Sequence, residues 1–227
     1  LAQAGLKSDV PRKRRTQAER SEEMRAKLAK AAFEVIAEKG HSAFRTAAVA
    51  AHAGVSEGAQ VHHFGTKEGV ILAALEYAFT EASRASAQRL ASIPAGANPL
   101  PYLLADLREF FLGKHYWVAL DIAIDSSKAG DVAGHVRQIA GTYRGRVYRN
   151  WTDTLVEAGW AEDDATEIVR MAASMLGGMG MRSLWEDVDP HMPRAITRME
   201  QMILNTWPVP GDIAARSVPR PRTARKK

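Results

Sequence analysis

Apolar residues recur along most of this chain at intervals of three and four, the spacing that gathers them on one side of an α-helix. Leu28, Ala31, Ala32, Val35 and Ile36 form one such face with charged positions opposite, which predicts a helix over 16–39. Val70, Ile71, Ala74, Leu75, Ala78 and Phe79 do the same over 66–92, and Pro94-Ala-Gly-Ala-Asn-Pro99 reads as a loop by composition. Further helices are expected near 99–113, 115–128, 131–158, 163–186 and 190–207. No convincing series of period-two strands interrupts them, so the pattern predicts an all-α protein.

Between the first two of these helices, residues 46–64 read as two short helices around a glycine turn. Ala47, Ala48, Val49, Ala50, Ala51 and Ala53 have high helix propensity and little bulk, so a neighbouring helix can approach closely. Gly54 tolerates the positive φ that a sharp exit from a helix requires, and Val55 is the apolar plug beneath the corner. Ser56 can accept a backbone N–H bond at the next helix start, where Glu57 adds a favourable negative charge. This is the layout of a helix-turn-helix, whose second helix enters the major groove. Its outward residues are expected to be Glu57, Gly58, Ala59, Gln60, His62 and His63. Gln60 is the expected base reader, because a carboxamide can bond bidentately to an adenine edge. Gly58 and Ala59 allow close approach, the two histidines suit phosphate or packing roles, and Lys67 at the next helix start suits a phosphate clamp.

An ordered set of residues resembles the DNA-binding domain of the tetracycline-repressor-like (TetR) family of bacterial transcriptional regulators. The first helix ends Ala-Glu-Lys-Gly at 37–40; Val49-Ala50, Ala53-Gly54-Val55-Ser56, Gly58, His63-Phe64 and Lys67-Glu68 follow at the family's spacing. The resemblance covers roughly 18–80 and implies a three-helix head at 16–65 on a larger helical ligand-binding and dimerisation body at 66–208, with 66–92 as the link. Two departures stand out. Val61 occupies the place of a tyrosine that touches a phosphate in the family, and Arg45-Thr46 replaces the usual Ser/Thr-then-aliphatic pair. Arg45 and Thr46 can compensate, since a guanidinium and a hydroxyl at a helix start both suit a phosphate. The resemblance further implies a homodimer on a pseudo-palindromic double-stranded DNA operator, released by a small-molecule inducer, with repression as the usual mode.

Charge and composition narrow the alternatives. Residues 1–70 carry a net +4, 71–210 a net −4 and 211–227 a net +5, so both ends are basic and the body acidic. Arg12-Lys13-Arg14-Arg15 makes 1–15 either a flexible arm along the DNA or a solvated tail, and 209–227 lacks apolar residues enough to fold. Cysteine is absent, no long uncharged apolar stretch occurs, and no secretory segment opens the chain, which together suggest a cytoplasmic protein without membrane association. Gly54-Val55-Ser56-Glu57-Gly58 matches the nucleophile elbow of hydrolases, but that motif needs a preceding strand, and here an alanine helix precedes it. No triad, paired carboxylates or phosphate loop stands in a plausible context, so no enzyme and no cofactor is expected. Adjacent histidines on a helix point about 100° apart, so His62 and His63 cannot easily share a metal ion, and no metal site is expected.

In the body, Leu100, Leu103, Leu104, Leu107, Phe110 and Phe111, then Trp117, Leu120, Ile122 and Ile124, are two apolar stretches interrupted by Asp121 and Asp125. They suit a ligand cavity with Phe111, Trp117 and Asp121 as its candidates, and equally suit plain core packing. The segment 163–186 mixes Met171, Met175, Met179 and Met181 with Gly177, Gly178 and Gly180. Small residues permit close helix approach and methionines adapt to irregular surfaces, within one chain or between two. Because the family pairs its last two helices across subunits, the resemblance implies a dimer seam there, with Met175, Gly178, Met179 and Arg182 as candidates. A nonspecific architectural DNA-binding protein without an inducer is the competing reading, since basic tails alone give salt-dependent affinity.

Overall fold

The computed structural model describes residues 16–126, 130–182 and 190–211. The basic arm at 1–15 and residues 212–227 of the tail expected from 209 lie outside them, while Val209 at the start of that tail packs against the core instead. Nine helices and no strand occur among the described residues: α1 (Gln17–Lys39), α2 (Thr46–Ala53), α3 (Glu57–Phe64), α4 (Lys67–Ala91), α5 (Leu100–Phe111), α6 (Lys114–Ser126), α7 (Gly130–Glu157), α8 (Glu162–Arg182) and α9 (Met192–Thr206). Among these residues no helix is long and apolar enough to cross a membrane.

Local chemistry sets the ends. Thr16 caps α1 rather than belonging to it: its hydroxyl accepts from the Glu19 N–H at 3.2 Å while the Glu19 carboxylate accepts from the Thr16 N–H at 2.7 Å. This reciprocal box satisfies two N–H groups that the helix itself cannot. Thr66 caps α4 by a single bond, its hydroxyl accepting the Gly69 N–H at 3.0 Å. Proline opens α5 and α9, where its missing N–H is not needed.

The long α4 is the spine, packing against α1 of the head and α5, α6 and α7 of the body. One continuous apolar core results, running from Leu28, Phe33 and Phe44 through Leu75 and Phe79 to Leu107, Trp151, Ile168 and Ile203. Each fully buried large aliphatic or aromatic side chain contributes on the order of 1.5–3 kcal/mol. At its centre lies a polar knot. Asp106 Oδ2 accepts from Ser86 Oγ and from the Trp151 indole N–H, both at 2.8 Å, and so joins α4, α5 and α7.

Candidate nucleic-acid interface

The corner between α2 and α3 is built as a Schellman turn. Gly54 adopts φ 61° and ψ 43°, its N–H reaches the Ala51 carbonyl at 3.0 Å, and the Val55 N–H reaches the Ala50 carbonyl at 3.0 Å. Only glycine takes this left-handed conformation without a Cβ clash, and the pair of bonds satisfies the carbonyls that α2 leaves open. Val55 then packs on the core, and Ser56 caps α3 by accepting the Ala59 N–H at 3.3 Å.

Packing against α1 and α2 sets the phase of α3. Gln60 is buried, at 3% exposure, on the face it shares with Phe64. The expectation that Gln60 points outward to read bases is therefore corrected: steps of 100° place residue 60 beside 63 and 64, against the head's core. The outward face instead carries Glu57, Gly58, Val61 and His62, with Ala59 and His63 half-buried at its edges. Val61 is 61% exposed, the largest apolar group on this face, and was missed as a base-contact candidate. An isopropyl group there can meet a thymine methyl, and a Cβ at Gly58 would have only Ser56 Oγ near it, at 3.9 Å. Gly58 therefore leaves space on the outward side rather than relieving a contact within the fold.

Two cations meet at one edge of the head. Arg45 precedes α2 without a side-chain cap, and its guanidinium donates to the Ser42 and Phe44 carbonyls at 3.3 and 2.9 Å. Lys67, in the first turn of α4, has its Nζ 5.9 Å from the Phe44 ring centroid. Phe44 thus brings Arg45 and Lys67, both exposed, to one edge of the head, with Thr46 half-buried at the start of α2. Two braces found by no local pattern hold the head together, one on α3 and one on α2. Arg25 of α1 donates to the His63 carbonyl at 2.5 Å and lies 4.7 Å over Phe64, setting a cation at the negative end of α3. His52 Nε2 stands 3.0 Å from Glu34 Oε2, tying α2 to α1.

The three candidates for a body pocket do not converge. Phe111 is buried against α8, where a Cβ on Gly177 would meet its ring at 3.2 Å. Trp117 and Asp121 instead line a cavity of about 410 Å³ with Ile36, Ala37 and Gly40, between the end of α1 and α6. Asp121 Oδ2 accepts the His41 backbone N–H at 2.6 Å, and His41 Nδ1 stands 2.9 Å from Asp125 Oδ2. Asp121 is thus a head-to-body tie rather than a partner of Phe111.

The glycine and methionine cluster of α8 divides by face. Gly177 and Gly180 point inward, where a Cβ on Gly180 would collide with the Phe111 carbonyl oxygen. Gly178 and Arg182 are exposed, Met175 and Met179 half-buried, and Met171 and Met181 expose half or nearly half of their surface. On α9, Met202 and Leu204 are also exposed.

Comparison with known proteins agrees with this geometry. Residues 28–74 match the family model described as bacterial regulatory proteins, tetR family. Over 174 residues the chain is 36% identical to the HTH-type transcriptional regulator CymR of Pseudomonas putida, spanning 77% of this chain and 86% of that protein. A transcriptional regulator from Rhodococcus sp. Rha1 shares the fold with a TM-score of 0.63 and 21% identity, over 81% of this chain and 97% of the other. The multidrug binding protein EbrR, solved in complex with imidazole, shares it with a TM-score of 0.57 and 22% identity, over 89% of this chain and 99% of the other.

Proposed function

We propose a ligand-released, operator-specific repressor function for this chain, which belongs to the TetR family of bacterial regulatory proteins. As a member it is a DNA-binding transcriptional regulator; the proposal concerns how it reads, pairs and lets go. The observation that carries it is the outward face of α3, where Gly58, Val61 and His62 stand exposed in a head that also exposes Arg45 and Lys67. Val61 and His62 meet base edges in the major groove, while Arg45, Thr46, Ser56 and Lys67 bind phosphates and set the register.

Two copies are needed to present two such faces to a pseudo-palindrome. The exposed Met171, Gly178 and Met181 of α8 with Met202 of α9 supply the apolar surface for that pairing. A small molecule bound in the body shifts α6 against the α1 end, changes the spacing of the two heads and frees the operator. EbrR, a multidrug binding protein of this fold complexed with imidazole, supports a response to a small molecule. The protein works in the cytoplasm.

Selection of sheared genomic DNA by the purified protein, near physiological salt, tests the reading. A few recovered sites sharing a pseudo-palindrome are expected, with base preference altered by Val61→Ser or His62→Ala. Uniform recovery, unchanged by either substitution, refutes it in favour of architectural binding. For the pairing, Gly178→Glu is expected to give monomers by light scattering, because the position faces open space within the chain and the fold tolerates the side chain. An unchanged mass moves the seam elsewhere.

A further inference from the structure

Glu57 places an acid on the face that the head turns to a polyanion. It opens α3, stands exposed with Gly58, Val61 and His62, and its carboxylate makes no ion pair or hydrogen bond with another described residue. Its local use is small. Ser56 already caps this helix, and the reciprocal bond that Glu19 gives α1 comes from the third helical position, which in α3 is Ala59. What is left is a favourable charge at a helix start, which water and salt screen at an exposed position. Docking in the major groove brings that charge between two rows of phosphates, and the cost is offset only where a base offers the carboxylate a donor.

The usual base readers are missing from this face. Guanine is read by paired donors of Arg or Lys, and adenine by the carboxamide of Asn or Gln. None of these four residue types is exposed on α3: Gln60 is turned into the core, and beside Glu57 stand only Gly58, the Val61 isopropyl group and the His62 imidazole. The acid is therefore the strongest hydrogen-bonding group that α3 presents.

A carboxylate only accepts, and that makes it selective among base edges. Guanine and thymine present acceptors in the major groove, N7 with O6 and O4 respectively, and so repel it. Adenine offers its N6 amino group but sets the N7 acceptor beside it, whereas cytosine offers the N4 amino group alone. We infer that Glu57 is a specificity-determining residue of this chain, accepting the N4 amino group of one cytosine in each operator half-site. This deepens the proposed function by naming a base that the head selects, and it rests on α3 entering the major groove. Glu57 and Val61 lie about one helix turn, or about 6 Å, apart on one face, against about 3.4 Å for a base step. The cytosine therefore stands within about two pairs of the base that Val61 meets.

The test uses the full chain and a site recovered from genomic DNA, with each base pair of the half-site changed in turn and affinity measured at constant salt. The wild type is expected to lose about tenfold at one C·G pair when it becomes T·A or G·C. Glu57→Gln is expected to move the preference at that pair from C·G to A·T, because a carboxamide can both accept from N6 and donate to N7. Glu57→Ala is expected to bind all four pairs there within about twofold of one another, since it keeps neither donor nor acceptor. If Glu57 acts only through its charge, both variants bind every site more tightly by one common factor with preferences unchanged, and that result overturns the inference. A recovered site with no sensitive C·G pair overturns it as well. Either variant decides alone should the other fail to fold by circular dichroism, and the wild-type series stands without them. A recovered pseudo-palindrome whose preferences survive both substitutions removes this inference alone, whereas uniform recovery of genomic DNA removes the operator reading together with it.

Discussion

Replacing Gln60 by methionine separates a packing role from a reading role at the position the sequence favours most for base contact. Gln60 is 3% exposed, and its Oε1 is buried with no hydrogen-bond partner. A buried acceptor left unsatisfied costs about 1–3 kcal/mol. Methionine has a similar volume, no amide and nearly the same helix propensity, so repacking costs less than about 1.5 kcal/mol. The balance is a gain of about 1 kcal/mol in unfolding free energy. Alanine would forgo the buried γ-methylene at about 0.8 kcal/mol and leave a cavity where the side chain stood, which together offset most of the benefit of losing the acceptor. Urea unfolding followed by far-ultraviolet circular dichroism measures the first effect, and selection from randomised DNA the second. Gln60→Met should be as stable as the wild type or more so and select the same sites, whereas Val61→Ser should leave stability alone and alter the sites. A methionine variant that keeps its stability but changes preference at one base pair would refute the reasoning, because Gln60 would then be turned outward onto DNA.

Other perturbations follow from single geometric facts. Gly54→Ala meets no atom within 4 Å, so its effect is backbone strain alone: about 1–2 kcal/mol for the left-handed conformation, less about 0.4–1 kcal/mol from the stiffer unfolded chain; a net loss near 1 kcal/mol by urea unfolding is expected, and a stabilised variant would contradict the turn. Gly180→Ala drives a Cβ into the Phe111 carbonyl and should cost about 1–3 kcal/mol, while Gly178→Ala, two residues away and facing open space, should not; equal effects in thermal unfolding would contradict the division of faces. For Asp106, burial raises the carboxyl pKa above 3.8 against the opposing hydrogen bonds of Ser86 and Trp151 and the charges of Arg144 and Arg89. The folded state then holds more protons than the unfolded one between the ordinary and the raised value, so wild-type stability falls as pH rises through that window. The advantage of Asp106→Asn over wild type should therefore grow across it, and a pH-independent difference would show that Asp106 is not the group responsible.

What could be read from the chain, and what could not, divides by the range of the interaction. The Gly54 turn, the Ser56 and Thr66 caps and the apolar faces of α1 and α4 each depend on residues within one or two turns, and each is legible locally. The direction of Gln60 was not. An eight-residue helix has two turns, and its polar side chains do not declare which pair is turned inward; the neighbouring α1 decides. Arg25 and His63 lie 38 positions apart, and His41 and Asp121 lie 80 apart, so neither contact leaves a spacing to read. The α8 glycines were legible as small residues. Only the ring of Phe111 shows that Gly177 and Gly180 serve the chain's own core and leave Gly178 to the surface.

The distant contacts also indicate how the body can act on the head in the proposed mechanism. α4 alone is a poor lever, because it shares a continuous core with α1 and so carries the head as one piece with itself. α6 is different. Its Val118, Ala119 and Ile122 share the core, and it adds polar and ring ties to the head: Asp121 on the His41 N–H, Asp125 beside the His41 ring, and His115 stacked on Phe33 with centroids 5.1 Å apart. A hydrogen bond of 2.6 Å is lost within a displacement of about 1 Å, whereas a packed core resists such a shift. Tyr116 and Trp117 lie on the same helix, the first against Phe110 and Phe111 and the second in the cavity beside α1. In the proposed mechanism, movement of Phe110 and Phe111 against Tyr116 would therefore reach the α1–α2 loop through α6. That loop positions Arg45, so under the proposed function a ligand would disturb the phosphate contact proposed for Arg45 before it moves the outward face of α3.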